Sequence, residues 1–155
     1  MDTKTLLIVA HMPSDNTRHL AEQVLAGASS DDAEQVHALL RTPFETSPDD
    51  VIACDAIILG TTENLGYMSG ALKDFFDRVY YPCLEIKQGL PCALYIRAGH
   101  DGTGTRRAVE TIVTGLKWNW IRPPLILKGE YQEDFAQQCR DLGELVAVSL
   151  DAGII

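Results

Sequence analysis

No apolar run in this sequence is longer than a strand. That excludes a membrane-spanning helix, which needs roughly 20 such residues. The opening "MDTKTLLIVA" has neither the basic start nor the cleavage site of a secretory leader. The two absences together predict a cytoplasmic protein with no membrane insertion. A basic surplus is also missing: 13 Lys and Arg stand against 22 Asp and Glu, for a net charge of −9. Such a balance argues against nucleic acid and acidic membrane as partners, while suiting a basic protein surface. Cysteine is scarce, with Cys54, Cys83, Cys92 and Cys139 forming no C-x-x-C and no zinc-like spacing with histidine. Free, mostly buried thiols in a reducing compartment are expected, and no metal site.

What is present is a chain of 155 residues, 46% apolar and 23% charged, a length and composition that suit one globular domain over 1–155. Strand and helix patterns alternate along it without repeats or linkers. "TLLIVA" (5–10), "EQVHALL" (34–40), "DAIILG" (55–60) and "PCALYIRAG" (91–99) read as strands. "WNWIRPPLIL" supplies a fifth, whose paired prolines predict an edge or a bend. Helical spacing runs through Leu20, Ala21, Val24, Leu25 and Ala28, then Ala71 to Tyr80, Ala108 to Leu116 and Phe135 to Val146. "SPDDVIAC" opens a short helix, with Ser47 as cap and Pro48 in its first turn. Alternation of this kind implies right-handed crossovers and a parallel sheet with helices on both faces. Ligands of such sheets bind beyond the carboxyl ends of the strands. Here those ends are the loops "AHMPSDNTR", "GTTENLGYMSG" and "RAGHDGTGTR".

The first loop has no glycine and no lysine, which excludes both a dinucleotide fingerprint and a Walker-type phosphate loop. Phospho-receiver chemistry is excluded too, because "DAIILG" ends in glycine and carries its aspartate at the wrong end. The first loop does hold neutral donors in Ser14, Asn16 and Thr17, just before a helix. Hydroxyls and a helix N-terminus can hold a dianionic phosphate without a lysine. The same residue types are favoured N-caps, so ordinary capping also accounts for the loop by itself. The second loop packs three glycines, two threonines, an asparagine and a tyrosine between a buried strand and a strong helix. It suits contact with a flat heterocycle, and equally a well-capped turn started by Ser69. The third repeats the theme with Gly99, Gly102 and Gly104 beside His100 and Asp101.

These loops, in this order, resemble those of the flavodoxin-like FMN proteins. "SDNT" is similar to their hydroxyl-rich phosphate loop, with Asp15 where a glycine is usual and Met12 where a hydroxyl residue is usual. "GTTENLGYMSGALKDFFDR" resembles the stretch after strand three in the tryptophan-repressor-binding-protein-type NAD(P)H:quinone reductases, with Thr62 at the place of a usual proline. The resemblance spans nearly the whole chain. It implies an α/β, flavodoxin-like three-layer fold with a five-stranded parallel sheet in the order 2-1-3-4-5, and FMN at the ends of strands one, three and four. Carried over, Ser14, Asn16 and Thr17 would hold the phosphate, with Met12 and Asp15 beside it. Thr61, Thr62, Glu63, Asn64, Leu65, Gly66 and Tyr67 would lie along the isoalloxazine. Ala98, Gly99, Asp101 and Gly102 would face its pyrimidine edge.

The implied activity is hydride transfer from NAD(P)H to flavin and onward reduction of a quinone-like acceptor. The alternative is a flavodoxin-type carrier that serves redox protein partners and has no substrate of its own. A relative that has lost flavin is a third reading, and a homo-oligomer is left open. Asp15 is compatible with a phosphate only if its carboxylate turns to solvent. Tyr67 and Trp118 stand as walls of an acceptor pocket or as packing residues. Arg106 and Arg107 stand as a nucleotide-phosphate contact or, preferably, as a solvated helix start.

Overall fold

The computed structural model describes residues 2–155. Strand β1 (Lys4–Ala10) leads into helix α1 (Asp15–Ala28), and β2 (Val36–Arg41) into a 3-10 turn (Pro43–Glu45) and the short α2 (Pro48–Ala53). Then come β3 (Ala56–Asn64), β4 (Tyr67–Met68), α3 (Gly70–Cys83), β5 (Pro91–Ala98) and α4 (Thr103–Leu116). The chain closes with β6 (Asn119–Trp120), β7 (Leu125–Lys128) and α5 (Glu133–Asp151).

The sheet runs β2-β1-β3-β5, with β6 and β7 both parallel to β5. Counting the expected strands only, this is the predicted order 2-1-3-4-5. The fifth strand is two pieces, because Pro123 and Pro124 in the gap lack the N–H that would continue the ladder. Side chains alternate across the central strands, as the two-residue period demands. Leu7, Val9, Ile57, Leu59, Leu94 and Ile96 pack with α3 and α4 on one face. Leu6, Ile8, Ala56, Ile58 and Tyr95 pack with α1 and α5 on the other. Three layers result.

On the second face α1 and α5 approach closely. A Cβ on Gly27 would lie 1.9 Å from the Arg140 carbonyl oxygen, and one on Gly143 would lie 2.0 Å from that of Val24. On the first face Arg78 of α3 donates to the carbonyls of Pro43 and Thr46 at 2.7 Å each, tying α3 to the turn after β2. All four cysteines are free and buried, as expected. Burial pushes the Cys54 and Cys139 thiols up to about 12, and raises those of Cys83 and Cys92 as well.

The register brings the three loops together. Ala10 lies beside Gly60, and Gly60 beside Tyr95. β1 ends there, with the His11 N–H donating to the Gly60 carbonyl, whereas β3 runs on four residues to Asn64. The second loop therefore rises above the first.

Candidate functional site

The first loop is a helix start of tight local design. Ser14 is the N-cap of α1, and its Oγ accepts the Thr17 N–H at 3.2 Å. Thr17 Oγ1 accepts the Ser14 N–H at 2.9 Å and donates to the Ser14 carbonyl at 3.0 Å. This is a capping box in which threonine fills the place usually held by Glu or Gln. Thr17 is buried and its hydroxyl proton is committed. The Ser14 hydroxyl lies 2.9 Å from Thr17 Oγ1, within hydrogen-bond distance, and Asn16 is exposed beside it. A helix leaves its first four N–H groups without intrahelical partners. The box satisfies that of Thr17, so those of Asp15 and Asn16 remain directed beyond the helix end. Asp15 is exposed at the first helical position, where its charge complements the helix dipole. Ser14 holds the cap, so Asp15 has no capping duty. Met12 is half-buried and packs against the α1–α5 side of the core, leaving its thioether little part in a polar loop. His11, just before it, is partly buried, which lowers its pKa.

The second loop is a hairpin, which its composition does not announce. β3 and β4 pair antiparallel, Glu63 opposite Met68 and Asn64 opposite Tyr67. Two residues make the turn, Leu65 at φ 54° and Gly66 at φ 74°. Positive φ at both central positions is the two-residue hairpin geometry that matches strand twist, and Asn-Gly is its usual sequence. Leucine there is strained, and its side chain is 106% exposed, so nothing in the chain compensates. Leu65→Gly is therefore expected to stabilise the fold. Relief of the left-handed backbone is worth about 1–2 kcal/mol, and glycine's extra chain entropy takes back about 0.5–1. Urea unfolding measures the difference, and a loss of stability would reveal packing at Leu65. The Thr61 side chain is an internal strut: it is buried, donates to the Thr62 carbonyl and accepts the Ser69 N–H at 3.0 Å. Ser69 in turn caps α3 through Leu72 N. The Thr62 hydroxyl is spent on the Asn64 side chain.

Three contacts fasten the hairpin to the third loop. The Glu63 carboxylate accepts the N–H groups of His100 and Gly102, each at 2.8 Å, one on each oxygen. Thr105 Oγ1 donates to the Tyr67 carbonyl at 2.9 Å. Gly104 lies so near the turn that a Cβ there would sit 2.1 Å from the Gly66 carbonyl oxygen. Asp101 folds back to accept the Thr103 N–H at 3.0 Å, and that hydrogen bond lowers its pKa. Ala98 and Gly102 are buried, whereas Gly99, His100 and Asp101 are exposed. Thr105 and the amide of His100 escape sequence reading. A threonine on a helix and a backbone N–H leave no pattern of their own.

Tyr67 remains at the rim, 41% exposed. Trp118 does not join it. It is a core residue packed on Phe76, with ring centroids 6.4 Å apart, next to the strand β6 that pairs with the amino end of β5. It walls no site at the carboxyl ends. Arg106 pairs with Glu110 one turn on, at 3.3 Å, and Arg107 is exposed, the solvated arrangement. Among the described residues, no group of His, Cys, Asp and Glu could hold a metal. No described helix is long and apolar enough to cross a membrane.

No protein-family model matches the sequence. A flavodoxin of Aquifex aeolicus (strain VF5) is 31% identical over 112 residues, 72% of this chain. The chain spans 59% of that relative's length. Among solved structures, a flavodoxin from the domain Archaea superposes with a TM-score of 0.77 over 92% of this chain and 96% of its own, at 19% identity. A flavodoxin, WrbA-like protein from Agrobacterium tumefaciens gives 0.75 over 98% and 99%, also at 19% identity. The fold is α/β and flavodoxin-like.

Proposed function

We propose that this chain is an FMN-binding redox protein whose cofactor lies across the three loops at the carboxyl ends of β1, β3 and β5. The observation that carries the reading is the first turn of α1. There the exposed residues Ser14 and Asn16 stand with the outward amides of Asp15 and Asn16 at a helix N-terminus. These neutral donors fit a phosphate monoester, which a helix start binds through dipoles. The ring would follow along the hairpin, where an exposed and strained Leu65 has no partner within the chain. Unexplained backbone strain at an exposed tip points to function. The likeness to flavodoxins supports the same reading.

When bound, FMN supplies the electron-transfer chemistry. The protein's tasks are narrower. Ser14 and Asn16 hold the phosphate, with Thr17 keeping the Ser14 oxygen in place. Thr61 and Ser69 brace the base of the hairpin. Leu65 and Tyr67, both exposed, would form the apolar edge beside the ring. Fluorescence titration of the flavin-free protein tests the site: FMN should bind at least tenfold more tightly than riboflavin. Equal affinities would refute a phosphate site in the first loop.

Asp15→Gly tests the electrostatics. An exposed carboxylate about 5 Å from a phosphate opposes it by under about 1 kcal/mol in water. The variant should bind FMN about two- to fivefold more tightly at low salt, and the gain should shrink as salt rises. Its stability should fall by about 1 kcal/mol, from the lost dipole partner and the added glycine. FMN binding that is unchanged at low salt would place the phosphate elsewhere.

The finer reading is an oxidoreductase that takes electrons from NAD(P)H and passes them to a quinone-like acceptor, supported by the second loop. A carrier for redox protein partners is the second reading, supported by the net charge of −9 and the Aquifex relative. Stopped-flow mixing of the flavin-loaded protein with NADH or NADPH separates them. Rapid bleaching of the flavin supports the oxidoreductase. Flavin that stays oxidised with both, yet reduces with a partner reductase, supports the carrier.

A further inference from the structure

Helix α4 begins at Gly102, which has no side chain to cap it. Asp101 takes the first helical amide, that of Thr103, and the two amides just before it, those of His100 and Gly102, are taken by the two carboxylate oxygens of Glu63, 39 residues before Gly102. Charge-assisted bonds of this kind are among the stronger ones a protein makes. The Glu63 backbone is fixed in the hairpin by its pairing with Met68. The hairpin is held to α4 independently, by Thr105 on the Tyr67 carbonyl and by the seating of Gly104 against Gly66. The Glu63 side chain can therefore swing away while both loops keep their places. The two amides it would release sit on the loop that, on the FMN reading, faces the pyrimidine edge of the ring.

We propose that Glu63 is an internal stand-in for that edge and the specificity-determining residue of the ring site. Its carboxylate occupies two amide donors, and a ligand gains them only by presenting carbonyl oxygens of its own in their place. A planar heterocycle with a dione edge meets that requirement. A ring without such acceptors leaves Glu63 in place and is turned away. The proposal rests on the FMN reading.

The test joins two measurements on wild type, Glu63→Ala and Glu63→Gln. In the flavin-free proteins, amide proton–nitrogen spectra should show the His100 and Gly102 signals shifted and exchanging faster in Glu63→Ala. The Ser69 and Leu72 amides, held by Thr61 and Ser69, should be unmoved, which shows that the variant is folded. In titrations, Glu63→Ala should bind FMN at least tenfold more tightly than wild type. Glu63→Gln should fall between them, since only one of its two terminal atoms accepts. Equal or weaker FMN binding by Glu63→Ala overturns the stand-in while leaving the flavin reading intact. Binding by the variant but not by wild type supports both. Binding by neither overturns both. Unshifted His100 and Gly102 signals overturn the stand-in whatever the affinities.

Discussion

Gly143→Ala should lower the unfolding free energy by about 2 kcal/mol, and Gly143→Val by about 3–4. On an isolated helix the first change would do the opposite, since alanine outranks glycine by about 1 kcal/mol. The sign reverses because the new methyl would arrive 2.0 Å from the Val24 carbonyl oxygen and 3.0 Å from the Ala28 amide nitrogen. Both are backbone atoms of α1, which cannot rotate away as a side chain would. The helices must part, and the apolar contacts of Val24, Ala28, Leu142 and Val146 between them loosen together. Chemical denaturation followed by circular dichroism reads the loss. A gain in stability with Gly143→Ala would show that α1 and α5 stand further apart.

Gly104→Ala should act at the rim. Its methyl would meet the Gly66 carbonyl at 2.1 Å, and the hairpin, tethered by Thr105, must tilt or lift. Stability should drop by about 1–2 kcal/mol. FMN affinity should fall more than tenfold, a difference of about 1.4 kcal/mol or more. Gly143→Ala, on the opposite face of the sheet, should leave affinity within about a factor of two. Titrating both variants separates damage to the fold from damage to the site. If Gly104→Ala binds FMN as wild type does, the hairpin is no part of the ring site.

How much of this could be read in advance follows the range of the interactions. Continuous apolar runs marked β1, β3 and β5, because each central strand is buried on both faces by purely local choices of residue, whereas the order of the strands came with the resemblance to flavodoxin-like proteins. The caps at Ser47 and Ser69 were legible for the same reason: cap and helix lie within four residues. The hairpin was not. "TTEN" is polar enough to resemble a loop, and Leu65 stands where its type is disfavoured, so the usual turn signal is missing. The break at 121–124 was half legible, since prolines announce an interruption without saying whether the strand resumes. The site divides likewise. The convergence of three loops follows from the order of strands, whereas the reach of Glu63 across 37 residues to His100 and the meeting of Gly104 with Gly66 depend on tertiary packing. Trp118 stayed open between wall and packing because an aromatic near a loop looks the same in sequence whether it faces solvent or Phe76.

The burial of all four thiols has a practical side. With Cys54 and Cys139 pushed up to about 12 by their surroundings, almost no thiolate exists at neutral pH, and the thiolate is the form that reacts. To an alkylating reagent the native surface is blank. Leu65→Cys would place a thiol at the most exposed side chain of the hairpin tip, where it alone would take a label. A fluorophore or spin probe attached there could report on whatever approaches the rim, with no background from the rest of the molecule and no need to remove a native cysteine.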